Sequence, residues 1–153
     1  MIQRIQTLYL IIISILASLT AILPIAELAS KANQLYMQNT LGVFKTLGKG
    51  ELVFKNTPLQ LILLILVIMC VVTIFRYKNR KLQIRLVVIN FLLIAAFYAT
   101  LFVYESTIKT TLDVTASYKF VLILPLVGFV FNWLAILAIR ADEALVKSLD
   151  RLR

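Results

Sequence analysis

Few residues in this 153-residue chain can do chemistry. It has no histidine and one cysteine, Cys70. An intrachain disulfide is therefore excluded, and so is a zinc site built from His and Cys. Cys70 lies inside an apolar run and reads as a small apolar filler. The acidic residues stay out of the apolar runs: Glu27 and Glu105 only flank them. Glu27 is placed to pair with Lys31 four residues on. A four-helix proton-coupled exporter needs a carboxylate inside the bilayer, and a four-helix thiol oxidase needs cysteine pairs. This chain supplies neither. Gly48-Lys49-Gly50 invites comparison with a phosphate loop, but Gly50 stands where Ser or Thr must ligate magnesium, and the spacing from Gly42 is one residue too long. No catalytic set, cofactor site or metal site is expected.

What remains is polar but not acidic. Asn90 and Asn132 fall within apolar runs at a similar depth, with Ser14 near the same level. Amides in hydrocarbon bond between helices, at about 0.6–2 kcal/mol per pair, so these three are the candidate interhelical polar layer. Neither amide ionises, which excludes a proton relay. Arg76, Lys78, Arg80, Lys81 and Arg85 form a compact basic cluster, a candidate contact for anionic lipid headgroups at about 1 kcal/mol per charge. The C-terminal segment carries Asp142, Glu143, Lys147, Asp150 and Arg151 on a helical pattern with Leu145, Leu149 and Leu152, a candidate contact for a cytoplasmic partner.

The elements that must position these residues are set by hydropathy. The chain is 61% hydrophobic and 15% charged, where a soluble domain carries about 25% charge. Mean hydropathy is +0.96. Four apolar stretches run at about 8–26, 59–75, 82–104 and 120–139. Each approaches the roughly 20 residues a helix needs to cross about 30 Å of hydrocarbon. Four such stretches leave too little chain to cover them, so lipid is the expected solvent and helix the expected state. The first stretch is too long for a signal peptide and lacks a good cleavage site, and reads as a retained helix.

Net charge is +9, with 16 basic residues. Nucleic acid is not the expected partner. The charges read instead as a topology signal. Arg4, the short 76–81 link with Arg85, and the tail after residue 139 together hold ten; the two other loops hold six, spread thinly over a longer chain. Both termini are expected in the cytoplasm. The short links favour an up-down four-helix bundle. In the first outer loop, 27–58, Val43-Phe44-Lys45 and Val53-Phe54-Lys55 flank a Gly-rich turn and read as a β-hairpin. The loop at 105–119 reads as a plain connection. Small residues repeat at four-residue spacing (Ser14/Ser18, Ala17/Ala21, Ala95/Ala99, Ala96/Thr100) and permit close helix approach. Pro125 and Gly128 can kink the fourth helix. Trp133 reads as packing.

The two ends carry a resemblance. Met1-Ile2-Gln3-Arg4-Ile5-Gln6-Thr7 resembles the start of a bacterial family of small four-helix inner-membrane proteins of unknown function, and Ile139 to Arg153 resembles that family's ending, A-I-R-x-D-E-x-L-V-K-S-x-D-R-L-R. The resemblance implies an inner-membrane protein of a Gram-negative bacterium and carries no catalytic residue. The expectation is an all-α membrane protein of one domain with both termini inside. It acts as a non-enzymatic accessory or structural subunit, with lipids and other membrane subunits as partners. The alternative is a small transporter or lipid-binding protein.

Overall fold

The computed structural model describes residues 2–30, 34–46, 51–77 and 79–151, with side chains between residues 5 and 144 of those ranges. Four helices form the body: α1 (Ile2–Ile22), α2 (Thr57–Phe75), α3 (Arg80–Leu112) and α4 (Leu124–Arg151). Each is long and apolar enough to cross a membrane. In the most apolar part of each, only 28% of residues are buried inside the protein. Large apolar side chains cover the rest of the helix surface, among them Ile15, Leu64, Leu92, Phe102 and Val130. Soluble monomers rarely expose continuous apolar surface beyond a few hundred Å².

α1 packs on α2 and α4, and α3 packs on the same two, so the helices close a ring. Its core takes one stripe from each: Leu10, Ile13 and Ala17; Leu59, Leu63, Leu66 and Cys70; Val87, Ile94, Phe97 and Leu101; Ala135, Ile136 and Ile139. The approach of α4 to α1 does not depend on Gly128, since a Cβ there would sit in ordinary contact with Ile13 at 3.9 Å.

The all-α expectation is corrected at the end away from the termini. There a five-stranded antiparallel sheet forms in the order β4-β3-β2-β1-β5, from β1 (Ala26–Ser30), β2 (Leu35–Asn39), β3 (Gly42–Lys45), β4 (Leu52–Lys55) and β5 (Val114–Tyr118). The expected hairpin is its β3–β4 edge, with Val43 opposite Phe54 and Gly42 opposite Lys55. A lone hairpin is marginal in water, whereas further strands and a helix on one face make a sheet stable. Strands β1 and β2 come from the first loop, and the 105–119 segment supplies β5 and the helix. α3 runs eight residues past its apolar stretch, and Asp113, with a left-handed φ of 46°, turns it into β5 beside β1. Asp tolerates that region better than most side chains.

The register decides what the sheet buries. Leu28, Tyr36, Val43 and Val114 fall on one face and pack on Ile108 and Leu112 of the α3 extension. Phe54 lies on this face too, edge-on to Tyr104. The opposite face carries Leu35, Met37, Phe44 and Leu52. Gly42 is obligatory, because a Cβ there would collide with the Phe54 carbonyl oxygen.

Helix ends follow local chemistry. Pro24 lies just beyond the end of α1 and cannot continue it. Pro58 sits in the first turn of α2, where a missing N–H costs nothing. The Asn79 side chain caps α3 by accepting from the Leu82 N–H at 3.3 Å. α4 continues through the amphipathic tail as one helix to Arg151.

Candidate functional site

The interior amides are spent on holding helices together. Asn132 is fully buried, and its Nδ2 donates to the Val87 carbonyl at 3.0 Å, tying α4 to α3. Asn90, equally buried, donates from Nδ2 to Cys70 Sγ at 3.5 Å, tying α3 to α2. Two further amides join them that hydropathy alone did not single out. Gln83 donates to the Thr73 carbonyl at 3.1 Å, and Gln6 to the Ala138 carbonyl at 3.0 Å. These four ties close three of the four seams of the ring. Each amide is at most 4% exposed.

Ser14 does not belong to this layer. Its hydroxyl donates to Ile11 on its own helix at 2.8 Å, the usual way a helical serine satisfies itself in an apolar setting. Asn90 Oδ1 and Asn132 Oδ1 are buried and accept no hydrogen bond from the protein.

At the terminal end, one residue from each charged candidate meets the other. Arg80 donates from Nη1 to the Asp142 carbonyl at 2.6 Å, and its Nη2 lies 2.8 Å from Asp142 Oδ2. The α2–α3 link and the α4 tail are therefore clamped by a single guanidinium in the forked geometry arginine favours. Arg80 is engaged by Asp142 and 28% exposed, whereas Arg76, Lys81, Arg85 and Arg140 are exposed. Lys78 lies outside the described residues, and so do the side chains of Lys147, Asp150 and Arg151. Glu143 is half-buried on the last described turns of α4.

At the sheet end, Glu27 sits on β1 and pairs with Lys119 at 2.7 Å, correcting the expected helical pair; Lys31 lies outside the described residues. Beyond the apolar stretch of α3, the Tyr118 hydroxyl donates to Glu105 Oε2 at 2.6 Å and accepts from Lys109 Nζ at 2.9 Å. The hydrogen bond to Tyr118 holds the Lys109 ammonium above its ordinary pKa of 10.5, helped by the Glu105 charge. This trio fastens β5 to α3. Trp133, expected in the packing, is largely exposed, with Phe91 against one edge at 6.4 Å.

Chemically this arrangement can brace and bind. Among the described residues, no three His, Cys, Asp or Glu side chains cluster as a metal site would require. The cavity beside Pro125 and Gly128 holds about 10 Å³, room for one water at most. No curated protein matches the sequence. A family model, the domain of unknown function DUF4293, does match it over residues 2–152, and the chain belongs to that family.

Proposed function

We propose that this protein is a non-enzymatic integral subunit of a larger assembly in the bacterial inner membrane, spanning it four times with both termini in the cytoplasm and the sheet in the periplasm. The observation that carries this reading is the direction of α3's small residues. Ala95, Ala96 and Ala99 do not face their own bundle; they are exposed on its outside. Helices associate in lipid through close backbone approach, which small residues permit and large ones block. Within the bundle, α3 presents Val87, Asn90, Ile94 and Phe97 instead. The alanine face is thus left for a helix from another chain.

A second surface points the same way. The outer face of the sheet holds Leu35 and Leu52, each 49% exposed, beside Met37 and Phe44. In the proposed topology this face is in water and beyond reach of the hydrocarbon. The transport alternative needs a polar path through the bundle, and the buried amides on the expected level are committed to neighbouring helices.

The test is native purification of the full chain in mild detergent, beside the double variant Ala95→Leu/Ala99→Leu. The expected result is a stoichiometric partner that the variant loses while keeping its own thermal stability. A wild-type protein that runs alone, or a partner retained by the variant, overturns the reading.

A further inference from the structure

The terminal end of the bundle carries far more positive charge than negative. Its acidic residues are Asp142, Glu143 and Asp150, all in the α4 tail, and Asp142 is held by Arg80. Lys81 and Arg85 stand on α3, both exposed. Among the described residues, no ion pair or side-chain hydrogen bond reaches either of them.

Three contacts fix where this pair points. The Asn79 side chain caps α3, Arg80 is clamped to α4 through Asp142, and Gln83 donates to the Thr73 carbonyl of α2 at 3.1 Å. With residues 80, 83 and 87 turned to the bundle, 81 and 85 are turned away from it. Four residues apart on one helix, their Cβ atoms lie about 5–6 Å from each other. The same stripe runs on through Val88 and Leu92, both exposed and apolar.

Depth brings the two charges together. Arg85 follows Gln83, whose partner Thr73 lies within the apolar stretch of α2, so the Arg85 backbone stands at the depth of hydrocarbon. In a chain that spans the membrane, a charge at that depth must reach the interface. Helical side chains lean toward the N-terminus of their helix, and α3 begins at this interface. Arg85 therefore reaches back toward Lys81. Arg76 and Arg140, exposed at the same end, lie outside α3.

We infer that Lys81 and Arg85 form a site for the phosphate of an anionic phospholipid in the cytoplasmic leaflet, of which phosphatidylglycerol is the simplest. The phosphate oxygens face both cations, with the guanidinium fork of Arg85 matched to two of them. An acyl chain follows Val88 and Leu92. Phosphatidylethanolamine has the same phosphate, but its ammonium cancels the charge that the pair attracts. The inference rests on the membrane-spanning topology proposed above and is independent of the subunit reading.

The full chain in mild detergent is titrated with phosphatidylglycerol or phosphatidylethanolamine of identical acyl chains, and bound lipid is read by native mass spectrometry. At about 5-fold per cation, phosphatidylglycerol should be preferred about 30-fold. Lys81→Gln/Arg85→Gln should abolish the preference. Arg76→Gln/Arg140→Gln removes as much charge from the same end and should keep it. All four positions are exposed, and Lys81→Arg/Arg85→Lys should retain both the preference and the thermal stability of the unaltered chain, which separates loss of the site from loss of the fold. Equal loss in the two glutamine variants reduces the effect to general charge and overturns the site. Equal binding of the two lipids by the unaltered chain overturns it too, and leaves the pair to face acidic residues of a partner helix. Release of the chain by an alkaline carbonate wash overturns the membrane reading and the site with it; a carbonate-resistant chain without the preference overturns the site alone.

Discussion

Arg80→Ala should cost distinctly more stability than Asp142→Ala, although the two residues form one pair. Arg80 makes two contacts to Asp142, one to its carboxylate and one to its backbone carbonyl. Asp142→Ala removes only the first. The side chains are 28% and 19% exposed, between the surface and buried limits. A surface pair is worth about 0.2–1 kcal/mol, and that is the expected cost of Asp142→Ala. Arg80→Ala also frees the carbonyl and strands a carboxylate that is four-fifths covered, adding the roughly 1–3 kcal/mol of an unpaired polar group. The total is about 1–4 kcal/mol. A double-mutant cycle isolates the carboxylate contact, with an expected coupling of about 0.5–1 kcal/mol that weakens in high salt. Denaturation in mixed micelles, followed by fluorescence of the single tryptophan, Trp133, reads all four proteins. Equal costs for the two single variants, or a coupling near zero, would refute the clamp.

Three further outcomes follow from the same geometry. Gly42→Ala should break the β3–β4 edge, because its Cβ would collide with the Phe54 carbonyl oxygen; proteolysis between residues 42 and 55 should rise while the helices stay intact. Asn132→Leu should change stability by no more than about 1 kcal/mol, since losing the bond to Val87 also removes the unpartnered Oδ1, whereas Asn132→Asp buries a charge and costs several kcal/mol in the same micelle assay. The Lys109 ammonium is favoured in the folded state, so its contribution is complete below pH 10.5 and is lost as pH climbs through its raised value; Tyr118→Phe should abolish that alkaline step in sheet protection measured by hydrogen exchange.

Polar residues, more than apolar ones, made the bundle legible. Lipid-facing and core-facing positions are both apolar here, so hydropathy located the four helices without saying which side of each turns inward. Asn90 and Asn132 do say it, because an amide in hydrocarbon must face a partner. Stepping from Asn90 by threes and fours gives Gln83, Val87, Ile94, Phe97 and Leu101, the buried stripe of α3. The same step from Leu10 reaches back to Gln6, so the two missed ties were readable in principle. Ser14 was misleading because a hydroxyl can bond to its own helix, as an amide cannot do so easily.

The sheet was harder to read because its edge strand β5 is distant in sequence from the strand it pairs with. β1 and β5 pair across more than eighty residues, as Ala29 opposite Thr115 shows, and no local pattern signals such a match. Only β3 and β4, which flank a Gly-rich stretch of sequence, carried a hairpin signature. The clamp between Arg80 and Asp142 and the pair of Glu27 with Lys119 are non-local in the same way. Local rules had paired Glu27 with the nearest lysine on a helix that does not form there.

The central claim is that four helices cross a bilayer and hold the sheet on the side opposite both termini. Cysteine labelling in intact cells tests it most directly. In a Cys70→Ala background, Ser117→Cys on β5 and Tyr77→Cys in the α2–α3 link place exposed thiols at opposite ends of the bundle. With a membrane-impermeant maleimide and the outer membrane permeabilised, position 117 should label at once and position 77 only after the inner membrane is broken. Equal labelling of both before that step, or the reverse order, would contradict the account.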